Sequence, residues 1–434
     1  MTMTSAEAAV ARTAPPGPWG DGHVHDVLRR HAEDVVSLWR TRTRLLDSPV
    51  ARLHQLLRLD ERIAGHLDGL LTAGDAGRRH VRAALADTDA ATLFVATALA
   101  ILGNDDEALD RSIALAQAQP EWAVGPTVAL GWVSANDLRG VVARLLNAAD
   151  PLRRRLGLEA CVAHRVDPGP ALAAAFVHPD PALRATACRA AGRLGRVDLL
   201  GRCRDLVDDA ANVAYEAARA GVRLGDRDAC LQSLAALSAS RSPRGDEALD
   251  FVVKLLDAES LQRLLAPWAG DATQGRRLVL AIGASGQRRF AAWLIEQLSR
   301  PAVARVAGAA LGTMLGVDLL ERRIADKASV DVVQRGEDDG AVDDPDAELP
   351  WPDPAAAAIW WSRHSAEHLA PGPALLGESP TRGICLAALR EAPQRRRIAA
   401  AQWLALIEPA SPWFDTAAPA WRQQRRLAEM AALR

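Results

Sequence analysis

The chain has few of the residues that build β-sheets. Aromatic residues make up 4% of its 434 residues, with a single tyrosine. Hydrophobic residues nevertheless reach 49%, and most of them are alanine and leucine, which are strong helix formers. The scarcity of strand-forming runs argues against a β-sandwich or barrel. The alanine and leucine content predicts an all-α protein.

Segments that would place the chain in a membrane or in an oxidising compartment are also missing. No stretch of about 18 apolar residues is uninterrupted by charge, so we expect no membrane span. Residues 1–25 are rich in Ala, Thr and Pro without a continuous apolar core, which predicts a flexible tail and no signal peptide. The five cysteines form no C-x-x-C pair. Together these features predict a cytoplasmic protein.

Neither sign of charge is in excess. The formal net charge is −2 and the isoelectric point is near 6.6, so the chain as a whole has no general attraction for nucleic acid or anionic lipid. We therefore expect no nucleic-acid partner.

What the sequence does contain is an internal repeat of about thirty residues. Asp180 and Pro181 suit the cap and first turn of a helix, and Gly195 suits its end. Apolar residues between them recur on one helical face, and the same offsets return thirty residues later. The two sets are Leu183, Ala187, Ala190, Ala191 and Leu194, then Val213, Ala217, Ala220, Gly221 and Leu224.

Weaker copies of the same pattern occur near residues 150–164, 278–286 and 301–316. Each copy is a helix pair that cannot bury its apolar face alone, and small residues let the next pair approach closely. The repeat therefore predicts an α-solenoid of HEAT-like helix pairs, whose second helices must be short. We place the solenoid at residues 26–335 and a tryptophan-rich C-terminal helical cap at residues 355–434.

Residues 336–354 differ from the repeats, because they carry eight carboxylates, several prolines and no basic residue. Like charges and prolines disfavour a helix, so we predict an acidic linker. Trp351 lies between two prolines that could present its indole to a partner, and tryptophan is enriched at interface hot spots. We name Trp351, Asp353, Trp360 and Trp361 as candidate binding residues. The alternative is that these tryptophans fill gaps between helices.

A second candidate site is the run that contains His164, Arg165 and Asp167. His164 stands where other copies of the repeat carry leucine. Its imidazole could bind the last carbonyl groups of its helix or Asp167, or it could contact a ligand directly.

The segment from His364 to His368 fits the H-x-x-E-H pattern of a zinc site. Catalytic zinc needs a third protein ligand, and no matching acidic motif follows before Pro371. We interpret the segment as a solvated polar helix face and predict no metal, no cofactor and no catalytic residue.

Arginine clusters occur at residues 153–155, 395–397 and 425–426. On a helix such clusters point in several directions, so we interpret them as solvated faces rather than a nucleic-acid groove. A DNA glycosylase built on HEAT-like repeats, or another nucleic-acid-binding enzyme, remains the enzymatic alternative.

Four separated motifs resemble a bacterial family of uncharacterised HEAT-repeat proteins that are often encoded beside type VI secretion genes. The motifs lie at residues 59–70, 163–169, 349–354 and 414–423. The resemblance implies a non-catalytic accessory role in secretion, as an adaptor or chaperone for a spike or effector protein. We therefore expect a scaffold that binds other proteins, with an immunity protein as a further alternative.

Overall fold

The structure is a computed structural model that describes residues 21–317, 344, 346–368 and 370–432. Within this part of the chain there are twenty-two α-helices, several short 3-10 turns and no β-strand, only two isolated β-bridges. The all-α prediction is therefore confirmed for the described residues. In chain order the helices are α1 Asp21–Asp47, α2 Leu53–Thr72, α3 Asp75–Ala84, α4 Ala90–Leu102, α5 Asp106–Ala118, α6 Val124–Trp132, α7 Val141–Leu146, α8 Pro151–His164, α9 Pro170–Ala175, α10 Pro181–Leu194, α11 Leu200–Asp205, α12 Ala211–Arg223, α13 Ala229–Leu237, α14 Pro243–Leu255, α15 Ala258–Leu265, α16 Gly275–Ser285, α17 Ala291–Gln297, α18 Ala304–Leu315, α19 Pro354–His364, α20 Arg382–Glu391, α21 Gln394–Ile407 and α22 Ala420–Ala432.

Eight helices form a row in which each contacts the next: α4, α6, α8, α10, α12, α14, α16 and α18. The helices between them are short, with six to nine residues in each except α5. At the N-terminal end, α1, α2 and α3 pack on one another and on α4. The helices thus pack neighbour to neighbour along most of the chain.

The helix α10 shows how the local sequence produces one member of this row. The Asp180 carboxylate accepts a hydrogen bond from the Leu183 amide at 2.7 Å, which satisfies an amide that has no partner inside the helix. Ala187 and Ala190 are buried where neighbouring helices meet. Gly195 ends the helix in the left-handed conformation. These assignments agree with the sequence pattern.

The C-terminal region packs along the C-terminal ends of the row. At Gly195, Gly286 and Gly316, an added Cβ would lie 2.0, 2.5 and 2.7 Å from carbonyl oxygens of Ala410, Ala374 and Leu376 respectively. The Leu376 amide also donates to the Thr313 carbonyl at 2.9 Å, and the Trp413 amide to the Arg193 carbonyl at 2.9 Å. The glycines that end α10, α16 and α18 therefore also leave space for the backbone of the C-terminal region (the returning chain), which packs directly against them.

The same C-terminal region reaches back to the first two helices. Arg42 and Asp60 form a buried ion pair at 2.5 Å, and the second Asp60 oxygen accepts from the Ala420 amide at 2.6 Å. Arg42 also donates to the Ala417 carbonyl at 2.9 Å. A buried pair of this kind is costly to break by removing one partner. It holds the start of α22 against α1 and α2.

The predicted N-terminal tail and the predicted acidic linker lie only partly within the described residues. Residues 1–20 lie outside the described residues, but residues 21–25 belong to α1 and not to a tail. Of the predicted acidic linker at residues 336–354, the structure describes 344 and 346–354. The segment has no basic residue of its own, but arginines of the helix row supply counter-charge: Asp344 pairs with Arg305, and Asp346 pairs with Arg276 at 2.8 Å.

Candidate functional site

A cavity of about 670 Å³ lies where the C-terminal ends of α6 and α8 meet the segment 413–429. Its volume falls within the range of about 300–1,000 Å³ that is usual for ligand pockets. We call it the arginine pocket. Its charged and aromatic lining consists of Arg165, Arg193, Arg422, Arg425, Arg426, His164, Asp415, Glu429, Trp132, Trp413, Phe414 and Trp421.

His164 lies in the wall of this pocket at the end of α8. Its Nε2 is 2.9 Å from the Leu130 carbonyl oxygen of the neighbouring helix α6. The imidazole thus binds a carbonyl group, as one interpretation of the sequence held, but on another helix and not on its own or on Asp167. Burial lowers the pKa of His164 from its ordinary value of 6.5, and nearby Arg422 and Arg425 lower it further. The neutral imidazole is therefore favoured.

Arg165 follows α8 in the left-handed conformation, with φ of 57°. Its Nη2 donates to the Trp413 carbonyl at 2.8 Å, which places the guanidinium between α8 and the returning chain. Arg422 is held at the end of α6, where it donates to the carbonyl of Gly131 and, at 3.2 Å, to the carbonyl of Val133. Burial lowers the pKa of Arg422. Both arginines are positioned by backbone carbonyls and not by carboxylates.

Positive charge exceeds negative charge in the lining, with five arginines against two carboxylates. Asp415 is 4.0 Å from Arg193, and Glu429 lies 3.1 Å from Arg426 and 3.8 Å from Arg425. Within the described residues, nitrogen atoms of Arg165, Arg193 and Arg426 are buried without a hydrogen-bond acceptor. Buried donors of this kind are normally satisfied. The excess of positive charge therefore suits the pocket to a negatively charged ligand.

The hydroxyl and the imidazole of the lining are both engaged by other groups. Ser134 supplies a hydroxyl, but its Oγ donates to Asp137 at 2.8 Å, and His164 is occupied by the Leu130 carbonyl. Nucleophilic catalysis by serine needs a base within hydrogen-bond reach of the hydroxyl, itself oriented by a third group. Among the residues that the structure describes, no group of three or more His, Cys, Asp or Glu side chains could hold a metal ion.

Comparisons with protein-family models, with curated proteins and with solved structures find no match for this chain. No described helix is both long enough and apolar enough to cross a membrane.

The candidate residue Trp351 lies at the surface, far along the chain from the arginine pocket. Its side chain is 42% exposed, and the Arg305 guanidinium carbon lies 4.7 Å from the indole centroid. Neighbouring Leu349 is buried, and Glu348 accepts a hydrogen bond from Ser48. Leu349 and Glu348 therefore attach this segment to the helices, while much of the Trp351 indole faces outward.

Trp360 and Trp361 pack partly buried against the core that includes α16 to α18. His364 stacks on Trp360 with ring centroids 5.1 Å apart, and His368 stacks on Trp361 at 6.3 Å. The interpretation of the H-x-x-E-H segment as a solvated helix face is wrong, because both imidazoles lie against indole rings and are partly buried. These tryptophans fill space between elements, which is the alternative that the sequence left open.

The two candidate aspartates have local structural roles. Asp353 caps α19, since its carboxylate accepts from the amides of Ala355 at 2.9 Å and Ala356 at 3.0 Å. Asp167 accepts from the Gly169 amide at 2.9 Å and from Arg196 at 2.5 Å. Of the seven candidates, the structure brings His164 and Arg165 into one cavity and leaves the other five outside its lining.

The pocket arginines of the C-terminal region are not among the candidate residues that the sequence predicts. Arg425 and Arg426 belong to a cluster that was interpreted as a solvated face, yet both line the pocket. In the cluster at 395–397, Arg397 is completely buried and donates to the Leu389 carbonyl at 2.9 Å. The mixture of arginine and tryptophan near the C-terminus is the sequence signal that could indicate the pocket. The position of the pocket, however, depends on how the C-terminal region packs against α6 and α8.

Proposed function

We propose that this protein is a non-catalytic scaffold or adaptor that binds another protein through the arginine pocket. In this proposal the row of eight helices is a HEAT-like solenoid, and the C-terminal region acts as its cap. Repeats of this kind contact mainly their neighbours and present extended surfaces to partners. The cap covers part of that surface and adds one wall of the pocket.

The observation that carries the proposal is the composition of the pocket. Arginine and tryptophan are the residue types most enriched at interface hot spots, where a few side chains supply most of the binding energy. Here they line an open cavity at the surface, and Arg165 and Arg422 are held by backbone carbonyls before any partner arrives. Such preorganisation reduces the entropy cost of binding.

The resemblance to type VI secretion accessory proteins supports a cytoplasmic setting and a partner of the spike or effector class. An adaptor must hold such a partner without modifying it, which agrees with a lining that is suited to binding. An immunity protein would use the same kind of site to hold a toxic effector, so the identity of the captured protein decides between these roles.

Affinity copurification from the native host tests the proposal. The experiment compares the parent chain with Arg425→Glu, which reverses a pocket charge, and Arg202→Glu, which makes the same charge change at an exposed arginine outside the pocket. We expect one protein to be recovered with the parent and with Arg202→Glu, and to be depleted at least about tenfold with Arg425→Glu. Equal recovery with all three chains would contradict the assignment of the pocket.

The arginine cluster also favours a second candidate function, a nucleic-acid-binding enzyme. Phosphate contacts by arginine give binding that weakens steeply with salt. If DNA or RNA copurifies in place of a protein, and the purified chain is retained on heparin with strong salt dependence, this second function replaces the first.

A further inference from the structure

We infer that the arginine pocket recognises carboxylate groups on an acidic segment of its protein partner. This inference rests on the proposed function and adds the chemistry of the partner. It makes the acidic segment, and not an apolar helix or a nucleic acid, the ligand of the site.

The donors in the pocket match carboxylates. The planar guanidinium group presents parallel N–H donors that bind a carboxylate in a bidentate manner. Arg425 is the most accessible of the five, with 72% of its side chain exposed, and its contact with Glu429 is long at 3.8 Å. Arg426 and Arg193 lie deeper, with 25% and 26% of their side chains exposed. An incoming acidic side chain would meet Arg425 first and the partly enclosed arginines next.

The position of Arg165 and Arg193 makes the deep part of the pocket rigid. The Arg193 carbonyl accepts from the Trp413 amide at 2.9 Å, and the Trp413 carbonyl accepts from Arg165 at 2.8 Å. These two contacts join α8 and α10 to the backbone of Trp413 in the C-terminal region. Charge-assisted hydrogen bonds gain most where the donors are already in place and partly shielded from water.

The size of the cavity favours a short segment. A volume of about 670 Å³ is that of a small-ligand pocket. A peptide segment can insert a few acidic side chains into such a space. An apolar side chain of the same peptide could then lie beside Trp421 or Phe414. Duplex nucleic acid instead needs a long track of cationic contacts along its backbone.

The acidic residues in and near the pocket also argue against binding of an extended nucleic-acid backbone. Ser134 of the lining donates to Asp137 at 2.8 Å, and Asp167, which follows Arg165 in the chain, pairs with Arg196. Asp415 and Glu429 stand within the lining itself. Carboxylates beside the arginines interrupt the continuous row of cationic contacts that a nucleic-acid backbone requires, whereas a short acidic peptide needs only the arginines inside the pocket.

Fluorescence anisotropy with labelled probes tests the inference on the full chain. The probes are octaglutamate, a serine-glycine peptide of equal length and an oligothymidylate of similar length, with inorganic phosphate as a competitor. We expect octaglutamate to bind the parent and Arg202→Glu, and to bind Arg425→Glu about tenfold or more weakly. The serine-glycine peptide should show no saturable binding, and phosphate at the concentration of the peptide should not displace octaglutamate.

Three results would overturn the inference. Octaglutamate could bind no better than the serine-glycine peptide, it could bind equally to all three chains, or oligothymidylate could bind more tightly than octaglutamate. If octaglutamate fails while affinity copurification still recovers a protein in a manner that depends on Arg425, the inference fails and the proposed function stands. If the peptide result holds and no protein is recovered, the anion site stands and the proposed function fails.

Discussion

Replacement of Gly195 by alanine should detach the C-terminal region from the middle of the helix row. Gly195 ends α10 with φ of 73°, and an added Cβ would lie 2.0 Å from the Ala410 carbonyl oxygen. No real Cβ contact is this short, so the segment must move. We expect this movement to break two hydrogen bonds. The Ala410 amide donates to the Arg223 carbonyl at 3.2 Å, and the Trp413 amide donates to the Arg193 carbonyl at 2.9 Å.

The expected magnitude follows from these contacts. The left-handed conformation costs a residue with a Cβ about 1 kcal/mol, and each lost hydrogen bond costs about 0.5–1.5 kcal/mol. The Arg223 guanidinium carbon lies 4.1 Å from the Trp413 ring centroid, and loss of this cation–π contact adds about 1 kcal/mol. We expect Gly195→Ala to lower the free energy of unfolding by about 3–5 kcal/mol.

Urea denaturation and hydrogen exchange measure this effect. Gly140→Ala is the matched control, because Gly140 has a similar positive φ of 79° but no atom within 4 Å of an added Cβ. It should show the cost of a positive φ without a close contact, about 1 kcal/mol. In Gly195→Ala, amide protection should fall in residues 409–415 before it falls in α10. Equal urea midpoints for the two variants would refute the close contact between Gly195 and Ala410.

Three further predictions concern side chains named from the sequence. Trp351→Ala should cost less than Leu349→Ala in urea denaturation, because residue Trp351 is 42% exposed whereas Leu349 is buried and its truncation should cost about 2–5 kcal/mol; the reverse order would show that Trp351 attaches the segment. The lowered pKa of His164 means that the unfolded chain binds more protons between that pKa and 6.5, so stability falls as the pH drops through this window. His164→Asn should lose less free energy of unfolding than the parent between about pH 7 and pH 5, and an identical pH dependence would contradict the burial of a neutral imidazole. His364→Ala combined with His368→Ala should leave the zinc content unchanged by elemental analysis, since no set of three ligands occurs in the described residues; one equivalent of zinc in the parent alone would be contrary evidence.

Features set by neighbouring residues were predictable from the sequence. The start and end of α10 depend on Asp180 and Gly195, which act within a turn of their positions. The buried faces follow the helical period, and the five cysteines are all buried, as expected for small apolar fillers. Local interactions of this kind leave a direct trace in the order of residues.

The arginine pocket was not predictable in the same way, because its walls are distant in the chain. His164 and Arg422 become neighbours through the docking of the C-terminal region, which no repeat pattern encodes. The acidic segment shows the same limit: Asp346 had no basic residue nearby in sequence, yet it pairs with Arg276 seventy positions earlier. His164 could be singled out from the sequence because it stands where other copies of the repeat carry leucine. The pocket arginines occupy no position at which the repeat predicts another residue type.

Site-specific photo-crosslinking in the native host tests the central claim, that the arginine pocket binds a protein, most directly. A benzophenone amino acid at Ala135, which lines the pocket and is exposed, is compared with the same substitution at exposed Ala239, which does not line it. We predict a discrete protein adduct from position 135 that is absent from position 239 and that disappears when Arg425→Glu is added. An adduct of equal yield from both positions, or none from position 135 while position 239 captures a protein, would contradict the account.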